Sequence, residues 1–353
     1  MGGNIKEQQR NNMRINHNIS KNDFPDLFSI GYIGTFRLDN AQYRLRVLNT
    51  LKYWTGNHQE VGVYSKVNQL EFMNVTILLA NYKHETAEKL LQKSKGYPMI
   101  YDVSTWHEYA KNNKVGGVCD AAYTVVTSNK ENANKFEAIN RPKNRRIFVI
   151  PDPYENEEKA PNMEGENIMW FGHPCHMSSL IPHYKNGMYV VSKNPTVSLL
   201  KAMGGTMVDN NMMKMSDTQK KHFVWWSLEN EQKYFDKCAM VLLTIKNEED
   251  SNECKVGSNR VIKSIMAGKF VITPEVENES WNEFKDYMWM GDVNEGIDWA
   301  INNKDTACQM IEKGQNYIRS RYHPKIIAQQ WIDVIMWTWA SWCRDMVEKR
   351  IVV

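Results

Sequence analysis

Residues 255–272 read KVGSNRVIKSIMAGKFVI. A glycine, a serine suited to capping, a helical stretch and a β-rich run follow one another there, the alternation that builds a sheet covered by helices. The reading predicts a helix from Ser258 to Ala267 and a strand over KFVIT (269–273). Gly257 lets a backbone approach a bound group, and Asn259 and Arg260 fall on the helix's first turn. Such a helix start attracts negative charge through its N–H groups and dipole, and Lys255 and Arg260 add full positive charges. A diphosphate fits this chemistry; the same residues also read as an ordinary capped helix with solvated basic side chains.

Outward from this unit the α/β alternation continues in both directions. Upstream, strands are expected at 28–34, 60–65, 74–81, 98–104, 121–128 and 146–152, with a helix at Ala41–Trp54 from the spacing of Leu45, Leu48, Leu51 and Trp54. Residues 154–167, YENEEKAPNMEGEN, carry Pro, Gly and many carboxylates without apolar periodicity, and mark a linker. A second series of strands follows at 167–172, 188–192, 222–227, 239–245 and 289–292, with helices at 294–302 and 306–321. Pro324 opens a long terminal helix that carries Trp331, Trp337, Trp339 and Trp342. The expected organisation is a leader at 1–22, an N-terminal domain at 23–153, the linker at 154–167, a C-terminal domain at 168–323 and the terminal helix at 324–353.

With 353 residues and 42% hydrophobic composition, the chain is long enough for two cores, which excludes a disordered tail and a small disulfide-stapled scaffold. Its six cysteines are scattered and form no C-x-x-C pair, so zinc and thiol redox chemistry have no signature and a reducing cytoplasm is expected. The polar N-terminus lacks an apolar core, and the longest uncharged apolar run, Val334–Cys343, is too short to span a bilayer.

The order of these features resembles the GT-B fold glycosyltransferases. SIMAGKFVI (264–272) resembles the helix and strand of their donor site, VTSNKENANKF (126–136) with FVIPDPYE (148–155) the end of their first domain, and IMWFG (168–172) the first strand and loop of their second. FVWWSLENEQKYFDKCAMVLLTI (223–245) resembles their nucleobase-binding strand, helix and following strand. The resemblance implies two Rossmann-like domains facing each other across a cleft, a C-terminal helix crossing back, and metal-independent transfer of a hexose or pentose from a nucleotide sugar such as a UDP-sugar. It covers roughly residues 28–350, with one departure: the two glutamates of the large retaining branch are Lys255 and Lys263 here. A Lys-x3-Asn-Arg pattern then assigns Lys255, Asn259 and Arg260 to the donor phosphates, with Gly257 and Ser258 beside them, and places Lys263 on a solvated face. Gly172, His173 and His176 form a loop facing the donor; Trp226 and Ser227 fall at the nucleobase. HPCH (173–176) also reads as a minor metal candidate, and no metal is assigned to it.

The acceptor side falls to the first half. Gly31 and Gly34 make a turn that lacks the third glycine of a dinucleotide fingerprint, which weighs against a dehydrogenase. Gly34, Arg37 and Arg44 are acceptor-binding candidates, and Asp102, with His107 as competitor, is the candidate base for an acceptor hydroxyl. An N-cap for Asp102 and a surface position for Arg44 are the structural alternatives. Residues 1–155 hold 21 Lys and Arg against 15 Asp and Glu, a net +6, whereas the remainder holds 23 against 26. RPKNRR (141–146) concentrates four of those positive charges. A basic face suits DNA, for instance a hydroxymethylated base as acceptor, or an anionic glycan or lipid surface. A nucleic-acid-binding protein without catalysis is the rival reading.

Overall fold

The computed structural model describes residues 28–34, 41–54, 59–64, 73–79, 97–103, 122–138, 146–155, 157–173, 176–185, 187–193, 221–245, 257–276 and 278–351. Two six-stranded parallel sheets organise them. The first contains β1 (Phe28–Ile33), β2 (Gln59–Tyr64), β3 (Val75–Leu79), β4 (Met99–Val103), β5 (Thr124–Thr127) and β6 (Arg146–Val149), in the order β2-β1-β3-β4-β5-β6. Every residue of β3, β4 and β5 is buried, as expected where both faces of a parallel sheet are covered.

The second sheet contains β7 (Ile168–Phe171), β8 (Tyr189–Ser192), β9 (Phe223–Trp225), β10 (Met240–Leu242), β11 (Phe270–Thr273) and β12 (Trp289–Met290). Its order is β12-β11-β10-β7-β8-β9, so strand order reverses between β7 and β10. Ligands of open α/β sheets bind outside the carboxyl ends of the strands at such a reversal. Each expected strand has a counterpart among the described residues. HFVWWS ends at Trp225, because Ser227 turns to cap the next helix.

The helices are α1 (a π-helical turn Tyr43–Leu48 running into Asn49–Leu51), α2 (Lys130–Ala138), α3 (Met177–Leu180), α4 (Leu228–Lys237), α5 (Asn259–Met266), α6 (Glu279–Asn282), α7 (Val293–Asn302), α8 (Lys304–Tyr322) and α9 (Pro324–Ile351). The spacing at Ala41–Trp54 predicts an ordinary helix; the structure forms a wider turn in which Arg44, Leu45, Arg46 and Val47 are all buried. Ser258 occupies the cap position of α5 but makes no side-chain capping bond, a correction to its expected role.

Each sheet has its own core. That of the first includes Ile327, Ala328, Trp331, Val334 and Ile335, so α9 returns the chain to the domain where it began. Trp337 extends the contact through Phe148, at 5.2 Å between ring centroids, and Arg146, whose guanidinium lies 5.1 Å from the Trp337 ring centre. No described helix is long and apolar enough to cross a membrane.

Residues 157–167 have no regular structure but are pinned to the second domain. The Lys159 N–H donates to Met266 O at 2.9 Å and the Asn162 N–H to Gly268 O at 3.0 Å. Gly268 ends α5 with φ +73°, and a Cβ there would lie 2.3 Å from Ala160 O and 2.9 Å from Lys159 O. Both neighbours are backbone and cannot turn aside. Gly268→Ala is expected to cost about 3 kcal/mol, from the left-handed φ and the clash together, measured as the loss in urea unfolding free energy.

Candidate active site at the interdomain crevice

The first turn of α5 lies where the two domains meet. A methyl group at Gly257 would lie 3.9 Å from the hydroxyl of Ser128, which follows β5 in the other domain. The Asn259 Nδ2 donates to Asp152 Oδ2 at 2.6 Å. Arg260 points the other way, into the second sheet: its guanidinium donates to Phe171 O at 3.4 Å and Thr244 O at 3.2 Å, on the two sides of the strand reversal. The Trp281 ring lies 5.6 Å from that guanidinium, and its Nε1 donates to Gly257 O at 3.4 Å. Gly172 makes room for it, since a Cβ there would sit 3.1 Å from Arg260 Nη1. His173 is exposed and His176 partly buried beside the same arginine. Next to Thr244 a cavity of about 270 Å³ opens, lined by Ser178, Ser179, His183, Ile245 and Glu275 among others.

The structure thus gathers Gly172, His173, His176, Gly257, Ser258, Asn259 and Arg260 at one end of the second sheet. Arg37, His107 and Lys255 lie outside the described residues. Gly34 closes β1 against β3, where a Cβ would be 2.8 Å from Leu79 Cδ1; its small size serves packing.

Three expectations change, those for Asp102, Arg44 and Lys263. Asp102, the candidate base, is fully buried, and its Oδ2 accepts from Arg46 Nε at 2.7 Å, which closes it to solvent and acceptor alike. Burial outweighs the attraction of Arg46 and raises its carboxyl above the usual range. Arg44 binds Glu155 at 2.9 Å and lies 5.9 Å from the Trp226 ring centre, so it joins domains and is neither an acceptor clamp nor a surface arginine. Lys263, placed on a solvated face from sequence, is paired with Glu155 at 2.8 Å and with Glu231, its side chain only 12% exposed. Trp226, expected at the nucleobase, has Arg44 and Lys193 near its ring and donates its Nε1–H to Glu231 Oε2 at 2.7 Å. Ser227 caps α4, its oxygen accepting the Asn230 N–H at 3.0 Å.

Sequence reading missed Arg46, Asp152, Glu155, Glu231 and Trp281. A signal existed for Arg46. Residues two apart point to opposite sides of a helix, so Arg44 and Arg46 could not share one solvated face.

Burial, then the charge of Arg260 and His173, holds the His176 imidazole down to about 3 from 6.5, so it is neutral in the folded protein near pH 7. Below about pH 6.5 the unfolded chain takes up a proton there that the native state refuses. This contribution to stability is complete above that pH and is lost as pH falls towards 3. From pH 7 to about pH 5 the native protein should lose of the order of 2 kcal/mol through this group. Urea unfolding at both pH values should show that loss in the native protein and its absence in His176→Asn.

No protein-family model and no curated protein matches the sequence. Solved structures do. The chain is similar to HepE of Anabaena in complex with UDP-glucose, at 9% identity and a TM-score of 0.62, over 87% of this chain and 99% of that one. It is similar to the N-terminal domain of Candida albicans trehalose-6-phosphate phosphatase, at 7% identity and a TM-score of 0.59, over 90% and 98%. An alpha-glucosyltransferase in complex with UDP and a 13-mer DNA containing a central A:G mismatch matches at 11% identity and a TM-score of 0.56, over 87% and 99%. At these identities the likeness is one of architecture: the chain has the GT-B fold, two Rossmann-like domains with a shared crevice.

Proposed function

We propose that this chain is a glycosyltransferase that takes a nucleotide sugar, most simply a UDP-sugar, at the first turn of α5 and transfers the sugar to an acceptor hydroxyl held by the N-terminal domain. The observation that carries the reading is the position of Arg260, held at the strand reversal of the second sheet beside a helix start that its own cap serine leaves uncapped. Breaking the bond between sugar and diphosphate leaves negative charge on the terminal phosphate oxygen. A guanidinium and a helix N-terminus already aimed there stabilise that charge as it develops. His176, kept neutral, can exchange hydrogen bonds with the donor without adding charge. The cavity beside Thr244, with hydroxyls from Ser178 and Ser179, an imidazole from His183 and the carboxylate of Glu275, offers the mixed donors and acceptors that a sugar ring needs. The likeness to folds solved with UDP-glucose and with UDP supports the choice of donor.

For the acceptor, the net charge of +6 on residues 1–155 favours a polyanion, and DNA bearing a hydroxymethylated base is the first candidate. The neighbour solved with a DNA duplex supports trying it first. A surface glycan or lipid is the second candidate, and a cytoplasmic protein without catalysis that binds nucleic acid is the rival.

The test is a melting-temperature screen with UDP, UDP-glucose, GDP and GDP-mannose, followed by titration of the nucleotide that binds. UDP should stabilise the protein, and Arg260→Ala should weaken UDP about tenfold or more while leaving the unliganded fold intact. Mass spectrometry of hydroxymethylated DNA after incubation with the UDP-sugar should then show the mass of one added sugar residue. A chain that ignores all four ligands but retains DNA would be the non-catalytic binder.

A further inference from the structure

The Arg46 side chain is fully buried, and its donors go in three directions. Nε meets Asp102 Oδ2 on β4 at 2.7 Å; Nη1 meets Ile150 O at 2.9 Å and Asp152 Oδ1 at 2.8 Å. Asp152 divides its two oxygens, Oδ1 to Arg46 and Oδ2 to the Asn259 amide at 2.6 Å. Its carboxylate therefore cannot rotate without losing one partner. A second connection runs parallel, from Arg44 through Glu155 to Lys263. Burial would raise the Glu155 carboxyl, but the hydrogen bond from Arg44 and the charge of Lys263 outweigh it and hold it low. The two connections start two residues apart on α1 and end one turn apart on one side of α5, so they restrain both its position and its rotation about its own axis.

We propose that Arg46 and Asp152 are positioning residues: through Asn259 they fix the first turn of α5 against the N-terminal domain, and so set where Arg260, the next residue along the chain, meets the carboxyl ends of the second sheet. This rests on the reading of that turn as the diphosphate site. A buried ionic network is an inefficient way to gain stability, since well-packed apolar residues often do as well; its best-attested return is a unique geometry. Here the geometry fixed is that of the helix start which meets the donor.

The test exchanges the two ends of the contact. Asp152→Asn keeps a carbonyl for Arg46 but turns an NH2 towards the NH2 of Asn259, which must flip to accept it, and Asn259→Asp sets two carboxylates against each other. In the double variant, the side-chain carbonyl introduced by Asp152→Asn faces Arg46 and the NH2 of the same amide faces the new carboxylate, so the hydrogen bonds return. Asn259→Asp should bind UDP about tenfold more weakly than the native protein and show faster amide hydrogen exchange at 258–262, Asp152→Asn should change both less, and the double variant should return both to within about threefold. An Asn259→Asp variant that melts earlier yet binds UDP and exchanges as the native protein does would reduce the network to a structural role and overturn the proposal. So would a folded double variant that recovers neither property. If the native protein itself binds no UDP, the donor reading falls, and the exchange pattern across the four proteins decides the positioning role by itself.

Discussion

A guanidinium with no access to water needs carboxylates around it, and Arg46 has drawn in one from a strand and one from the segment that leaves the first domain. Removing Arg46 would leave two buried carboxylates without their cation, and such losses run to several kcal/mol. The requirement reaches well beyond α1. It determines that Asp102 stays inside β4, that Asp152 faces inward just before the chain crosses to the second domain, and that the crossing segment passes over α5 at Asn259.

Helix α5 has eight residues and serves three surroundings. Val261, Ile262, Ile265 and Met266 enter the core of the second domain. Asn259 and Lys263 turn to the crossing segment, and Arg260 turns to the carboxyl ends of the strands. No solvated face remains over most of its length, which is why a lysine that looks exposed by composition is enclosed. Burial would lower the Lys263 ammonium, yet Glu231 and Glu155 outweigh it and raise it, keeping the side chain charged where it lies.

Much of this architecture can be read from the chain. The strands announce themselves because β-branched and aromatic runs such as VTILL, TVVT and FVIT fit only a sheet covered on both sides. The start of α5 at Gly257, Ser258 and Arg260 is legible for a local reason, namely that a helix N-terminus is encoded by consecutive residues. The ionic contacts between domains are not local. Arg46 and Asp152 are separated by 106 positions, and Asn259 and Asp152 by 107, so no periodicity or spacing joins them. For the same reason Asp102 looks available as a base: its strand position is legible, but the cation facing it is not. The wide turn of α1 is equally hidden, because the apolar spacing at Leu45, Leu48 and Leu51 suits an ordinary helix.

The first domain's core takes Ile327, Ala328, Trp331, Val334 and Ile335 from the other end of the chain. A ribosome emits residues in order, so strands β1 to β6 leave the exit tunnel long before the piece that seals them. Until residues 327–335 emerge, the nascent first domain carries an open apolar seat the size of a tryptophan, while the described strands and helices that build the second domain's core are already made. The half made second is therefore the one able to complete itself first, and the earlier half must be kept from aggregating while it waits.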